Sequence, residues 1–321
     1  MDQADAWRAF AFYSTNLSHL LPELPLKQHA AHFEETQRLR QLNTLEHSYR
    51  QLENHEPTES GMAGITAPAI VATFHTGPYH LVCGWLMQRR IPFSLVLAAE
   101  AMQARAANYR RLYRHVTGQP ATAGDFGIIN ASDPHSLLYM RTALRNGQLL
   151  VLYVDGNMGA GNPNGRQPQL ALDFLAGTLR VKTGAAYLSY LMQCPVYPVL
   201  CRWQQERAVW HSARPLTPRS GEPRAAYIRR CMAGVYGVLA ETLRRDAPQW
   251  EGWGYVHHDL EVAADGMDMD QPATDKLVDH FIPIRFGGLP YLLHRHTLLA
   301  YPISDAQHEK LWDFAKKIFI F

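Results

Sequence analysis

The segment FHTGPYH, residues 74–80, sets His75 and His80 on either side of a Gly-Pro turn, directly after the apolar run APAIVAT. Histidine titrates nearest neutrality, so it is the usual carrier of a proton in catalysis. A catalytic imidazole normally leans on a carboxylate, which fixes its tautomer and stabilises the imidazolium as it forms. Here the residue five positions on is a second histidine. A neutral His80 can fix a tautomer through one hydrogen bond, whereas a protonated His80 would repel a protonated His75 and lower its pKa. His75 is read as the general base, with His80 beside it. Asp155, which ends the apolar run QLLVLYVD, is read as the acid that takes over the missing carboxylate's work.

Other residues could hold a substrate. Asp155 opens DGNMGAGNPNG, where Gly156, Gly159 and Gly161 would let the backbone approach a ligand and Asn157 offers an amide. By composition alone the same stretch is a plain surface loop. Backbone N–H groups around TGP or DGNMG, or a cationic side chain, are the candidates for an oxyanion site. In QARAANYRRLYRH, Arg105 and Arg110, with Arg111 and Arg114, suit a phosphate, although such a run is more often a solvated helix face. In TLRVKTG, strand alternation puts Arg180 and Lys182 on one face, and Thr183 follows. His75, His80 and Cys83, or the pair His257–His258, match no structural zinc spacing, so no metal is expected. No G-x-S-x-G is present, which argues against a serine nucleophile.

The elements that must position these groups follow from pattern. After the loop-forming NHEPTESGMAG, short apolar runs alternate with helical ones. APAIVATF, PFSLVLA, QLLVLYVD and CPVYPVLCRW read as strands; YHLVCGWLMQRR, AEAMQARAANYRRLYRHVTG, SDPHSLLYMRTALRNG and GAAYLSYLMQ read as helices. Ser132 and Asp133 are candidate N-caps, and Gly118 a C-cap. Such alternation specifies an α/β fold with a mostly parallel central sheet flanked by helices. Ligands of such sheets bind beyond the carboxyl ends of the strands. If the first and third strands are parallel neighbours, His75 and Asp155 face one crevice.

The chain has 321 residues, 47% hydrophobic and 19% charged, with a net charge of +2, so bulk charge gives no reason to expect nucleic acid. Cys83, Cys194, Cys201 and Cys231 lie far apart, as buried thiols of a reducing compartment rather than a disulfide framework. No apolar run approaches the ~18 residues of a spanning helix, and no signal peptide is legible. The aromatic stretch from Trp7 to Leu21 could lie flat on a bilayer. Its single basic residue, Arg8, favours a helix packed on the core. The expected organisation is an N-terminal helical region (1–60), an α/β domain (61–262), an acidic linker (263–279) and a small hairpin-helix unit (280–321). In that last unit PYLLH pairs with TLLAYPI, and Ser304 and Gln307 form a capping box. Leu311, Phe314, Ala315 and Ile318 make its apolar stripe, which must dock on the catalytic domain or on a partner.

Four segments in order resemble the bacterial lipid A late (lauroyl/myristoyl) acyltransferases of the lysophospholipid acyltransferase superfamily. FHTGPYHLVCGWL looks like their first motif, a strand leading into His-x-x-x-x-Asp/Glu and a helix. ALRNGQLLVLYVDGNMGAG is similar to a helix and strand ending in Asp; DFLAGTLRVKTGAAYLSYLMQCPVYPVLCR and APQWEGWGYVHHD resemble the two closing blocks. Together they cover roughly residues 65 to 260. The resemblance implies a glycerolipid acyltransferase-like fold and acyl transfer from an acyl carrier protein or CoA thioester, with His75 as base and Arg180, Lys182 and Thr183 near the substrate's phosphate or carboxylate. It implies no cofactor beyond the donor's pantetheine arm. It also implies a cytoplasmic protein, with peripheral contact to the inner membrane open. The chain departs from the pattern at His80, at VHHDL, which lacks an arginine pair, and in the absence of the usual N-terminal membrane segment. These departures point to a specialised acceptor, a small molecule, peptide, carrier-bound intermediate or lipid other than lipid A, with an amine somewhat favoured. A degenerate module that binds an acylated carrier or peptide and a thioesterase-like hydrolase are the competing expectations.

Overall fold

The run Ala69–Thr73 is apolar apart from its last residue, and every position in it is buried. Strands buried on both faces read in this way because helices cover both sides of the sheet they join. The computed structural model describes residues 3–45, 47, 50, 62, 64–156, 169–205, 207–262 and 277–319. In chain order the elements are α1 (Gln3–Leu20), α2 (His29–Leu42), β1 (Ala69–Thr73), α3 (Leu81–Gln88), β2 (Phe93–Leu97), α4 (Ala99–Thr117), β3 (Phe126–Asn130), α5 (Ser136–Arg145) and β4 (Leu149–Tyr153). The ribbon β5 (Gln169–Phe174) and β6 (Gly177–Lys182) follows, then α6 (Gly184–Met192), β7 (Val196–Gln204), β8 (Arg207–Ser212) and α7 (Arg224–Arg245). The chain closes with β9 (Phe281–Phe286), β10 (Leu289–His294), β11 (Ala300–Pro302) and α8 (Asp305–Phe319).

Two compact units result. The larger comprises residues 39–172 and 181–250. Its six-stranded sheet has the order β3-β2-β4-β1-β7-β8, parallel except for β8. The expected α/β architecture with a mostly parallel sheet is therefore present. β3 and β8 were not legible in the sequence; FGIIN is short and RAVWHS carries charge. The chain steps from β1 through α3, β2 and α4 toward one edge, then returns through α5 and α6 toward the other. Right-handed crossovers put α3 and α4 on one face and α5 and α6 on the opposite face. On the α3–α4 face Val71, Leu95 and Val151 pack with Leu81, Leu86 and Tyr109, all buried. Each large apolar side chain so buried contributes about 1.5–3 kcal/mol. Gly118 ends α4 in the left-handed conformation, as expected. Asp133 accepts the N–H of His135 rather than capping at the helix start itself, so α5 begins at Ser136.

The smaller unit comprises residues 1–38, 173–180 and 251–321. Trp7, Phe10, Tyr13, Leu17 and Leu20 of α1 are buried, so α1 is a core helix of this unit. No helix of the described residues is long and apolar enough to cross a membrane. β10 pairs antiparallel with both β9 and β11, which adds a strand to the expected hairpin. The capping box forms: Ser304 N–H donates to Gln307 Oε1 at 2.9 Å, and Gln307 N–H to Ser304 Oγ at 3.3 Å. The apolar stripe of α8 is rotated from the expected one. His308, Ala315 and Phe319 are its buried residues, whereas Leu311, Phe314 and Ile318 are half-buried. The rotation follows from aromatic packing, with Trp312 on Trp7 at 4.5 Å and Phe319 on Phe10 at 5.0 Å between ring centroids. The C-terminal segment thus packs on α1 of its own unit, and the N-terminal helix and the C-terminal residues, expected apart, share one core. Trp7 Nε1–H donates to Pro283 O at 2.6 Å, which fixes α1 to β9. Of the expected linker at 263–279, residues 263–276 lie outside the described residues, and Leu277–His280 form a short helical turn.

Candidate active site

β1 and β4 are parallel neighbours in register, with Thr73 opposite Tyr153. His75 and Asp155 each stand two residues beyond that pair, so they leave the sheet side by side at its carboxyl edge. His75 Nδ1 lies 2.9 Å from Asp155 Oδ1, and the backbone N–H of His75 donates to Oδ2 at 2.9 Å. Trp250 Nε1–H donates to the same Oδ2 at 2.7 Å. The Asp155 side chain is 2% exposed and that of His75 is 22% exposed. Burial would push the Asp155 carboxyl up; the charge on His75 and these hydrogen bonds outweigh it and hold the group below its usual range. An ionised Asp155 takes the Nδ1–H of His75, and the basic lone pair is then on Nε2.

Aromatic rings fix the imidazole plane. His75 stacks on Tyr153, with centroids 4.7 Å apart and planes 26° apart, and meets Tyr79 edge-on at 4.9 Å. Tyr153 Oη–H donates to the carbonyl of Tyr79 at 3.3 Å.

The turn after β1 is braced by the segment that carries Trp250. Gly77 N–H donates to Gln249 O at 2.9 Å, and Thr76 bridges Trp250. Gln249 is itself tied to Trp203 of β7: its Oε1 accepts the Trp203 N–H at 2.9 Å, and its Nε2–H donates to Trp203 O at 3.1 Å. Gly77 has φ +47°, and a Cβ there would come within 2.6 Å of Arg202 Cα and 2.8 Å of Cys201 O. Only glycine meets both demands.

His80 has a different environment from the one the spacing suggested. It is buried at the start of α3, and its Nδ1 lies 2.6 Å from Tyr109 Oη. Burial, then the charges of Arg105 and His75, pull its pKa well down. Burial also keeps the Tyr109 phenol protonated. Tyr109 Oη and Nδ1 of a neutral His80 are therefore hydrogen-bonded to each other, and the partner of His75 is Asp155. The structure thus sets His80 against Tyr109 and brings His75 together with Asp155.

The remaining candidates separate. Arg105 reaches from α4 to Tyr79 Oη, donating at 3.4 Å. Arg110 is exposed on the same helix, five residues further along it. Lys182 Nζ–H donates to the carbonyl of Gly156 at 2.8 Å, next to Asp155, and Thr183 is buried at the start of α6. Alternation holds along β6, with Leu179 and Val181 buried and the alternate positions Arg180 and Lys182 exposed and half-buried. Arg180 is nonetheless an exposed side chain paired with Glu261 at 3.2 Å, and its backbone N–H donates to Asp259. Its assignment to a substrate phosphate is therefore not supported by its contacts. The N–H groups of TGP are also engaged, Thr76 with Phe74 O and Gly77 with Gln249 O, each at 2.9 Å. They are not aimed at an oxyanion. Asn157, Gly159 and Gly161 lie outside the described residues. Among the described residues no group of three or more His, Cys, Asp or Glu side chains is set to hold a metal ion.

Trp250, Tyr79, Tyr153 and Tyr109 were not singled out from the sequence. The periodic signal for Tyr79 and Tyr153 was that of core residues, and Trp250 acts through one N–H that no spacing rule marks. No protein-family model matches the chain, and no curated protein matches it.

Proposed function

We propose that the chain is an acyltransferase, in which His75 is the general base and Asp155 orients it. The observation that supports this reading most is the hydrogen-bonded pair of His75 and buried Asp155 at the carboxyl edge of a parallel sheet. An acceptor hydroxyl or amine gives its proton to Nε2 of His75 as it attacks the carbonyl of an acyl thioester. The tetrahedral intermediate then expels the thiolate, and the imidazolium returns the proton to the leaving sulfur. Base catalysis of this kind is worth roughly 10² to 10⁴ in rate. Asp155 stabilises the imidazolium while it exists. The cations at this edge, Arg105 and Lys182, are the candidates to stabilise the oxyanion or to hold a phosphate of the donor. The donor is an acyl carrier protein or CoA thioester, and the acceptor is a small molecule, peptide, carrier-bound intermediate or lipid.

Because Asp155 fills the orienting role, the histidine at position 80 gives no ground for reading the site as degenerate. Incubation with acyl-CoA and acyl-carrier thioesters, with and without amine and alcohol acceptors, tests the reading. Transfer to an acceptor supports it. Release of free fatty acid at the same rate whatever the acceptor identifies a hydrolase, and tight binding of an acylated carrier without turnover identifies an accessory module.

A further inference from the structure

Four histidines of the smaller unit gather around one of their number. His296, exposed in the turn after β10, has the ring of His280 at 5.6 Å, that of His294 at 5.9 Å and that of His19 at 6.2 Å, centroid to centroid. They come from three parts of the chain. His19 is in the last turn of α1, His280 ends the helical turn Leu277–His280, and His294 ends β10. Between His294 and His296 stands Arg295, which is fully buried. Its guanidinium donates to Ser14 Oγ at 2.9 Å and lies 5.2 Å from the ring centroid of Phe319, while its backbone N–H donates to His280 O at 2.7 Å. A permanent cation thus sits among the elements that carry the four rings, where α1, the helical turn and α8 meet the end of β10.

Little in the cluster can compensate added charge. Among the described residues no carboxylate pairs with any of the four imidazoles; the histidine–carboxylate pairs are those of His75, His135 and His211. The buried Nε2 of His19 and Nδ1 of His280 have no hydrogen-bond partner among the described residues, so an imidazolium at either place buries an N–H with nothing to accept it. Asp279, exposed next to His280 in the chain, is the acid that bears on Arg295. From the other side His29, with His32 near it, reaches the same guanidinium through Ser14, its Nδ1 2.8 Å from Ser14 Oγ. His19, His294 and His296 are each held below 6.5, by burial first and then by their charged neighbours. The four rings form no metal-binding group among the described residues, and the chemistry they share is proton uptake. We propose that the cluster is an acid-operated latch: proton uptake by its histidines parts α1 from the C-terminal segment 277–319, while the parallel sheet of the larger unit stays folded. Once parted, each imidazolium is hydrated and clear of Arg295 and of the other rings. Each proton taken up on opening weakens closure about tenfold per pH unit below about 6.5. Opening also bares the aromatic contacts of Trp7 with Trp312 and Phe319. The proposal stands on the placement of the histidines and does not rest on the acyl-transfer reading.

Hydrogen exchange of the full chain at pH about 7.5 and about 5.5, corrected for the intrinsic pH dependence of exchange, tests it. Protection of α1 and α8 is expected to fall roughly tenfold or more, and that of β1 and β4 to change by less than about twofold. His296→Gln removes the central ring, whose exposure keeps the substitution clear of the core. It is expected to cut the fall in α1 and α8 to about threefold or less, and His19→Gln to cut it in the same direction. Unchanged protection of α1 and α8 at the lower pH overturns the proposal, and so does loss of protection by β1 and β4 together with them. A fall as large as wild type's in both variants assigns the acid response to His29 and overturns it as well.

Discussion

The Nδ1 of His75 and the Oδ1 of Asp155, eighty residues apart in the chain, lie 2.9 Å apart because β1 and β4 are parallel neighbours in register. The contact joins two sequence signals that are weak separately, a histidine after one strand and an aspartate after another. It makes Asp155→Asn the informative substitution. The amide keeps the shape but cannot stabilise an imidazolium, and it can present its NH₂ to Nδ1, which selects the wrong tautomer. Turnover by Asp155→Asn is expected to fall roughly 10²-fold or more, as for His75→Ala, with circular dichroism unchanged. Initial-rate measurements on the variants check this, and wild-type rates in Asp155→Asn would contradict it.

His80→Ala is expected to behave differently. It removes a buried ring and one hydrogen-bond partner of the Tyr109 hydroxyl, so its effect is on stability. The melting temperature should drop by several degrees while turnover at a lower assay temperature stays within about tenfold of wild type. Parallel melting and rate measurements separate the two effects, and a turnover loss equal to that of His75→Ala would return His80 to the chemistry.

Gly77→Ala tests the brace behind His75. An added Cβ meets backbone atoms of Arg202 and Cys201, which cannot swing aside as a flexible side chain can. The variant is expected to lose stability by a few kcal/mol and to lose turnover beyond what unfolding explains, because the turn carries His75. Denaturant melts with rate assays on the folded fraction check it. A variant with wild-type stability would mean that the close approach to β7 is absent.

Acid should destabilise the smaller unit well before its carboxylates protonate. His29 is pulled down to about 4, by burial first and then by Arg295. His257 is pulled down to about 4, by burial and then by His258. In both cases the unfolded chain holds the extra proton between about 6.5 and 4, so stability is full above that window and falls as pH drops through it. His29 alone steepens the loss by up to about 1.4 kcal/mol per pH unit. Thermal melts from pH 7.5 to 5 should show falling stability, and His29→Gln should flatten the slope. An unchanged slope in that variant would refute the assignment.

The sequence revealed the sheet more fully than the site. Long apolar runs such as AIVAT and LLVLY carry their own signal, so the parallel architecture and the pairing of His75 with Asp155 could be expected from strand order. Short or charged strands such as β3 and β8 lacked that contrast. The stripe of α8 was misread by about one position because Trp312 and Phe319, drawn to Trp7 and Phe10, set the rotation of the helix. The site's supports were less legible still. Trp250 holds Asp155 through a single N–H, and Gln249 acts through main-chain bonds to Trp203, contacts that depend on residues distant in sequence.

The central claim is that His75, oriented by Asp155, takes the acceptor's proton during acyl transfer. The most direct measurement is single-turnover transfer from a labelled acyl thioester to an alcohol acceptor, which does not itself titrate near neutrality, followed across pH for wild type, His75→Ala and Asp155→Asn. The account requires acceptor-dependent product whose wild-type rate rises with pH through a single ionisation, and at least a 10²-fold loss with that ionisation gone in His75→Ala. Transfer by His75→Ala at the wild-type rate, with the same pH profile, would contradict it.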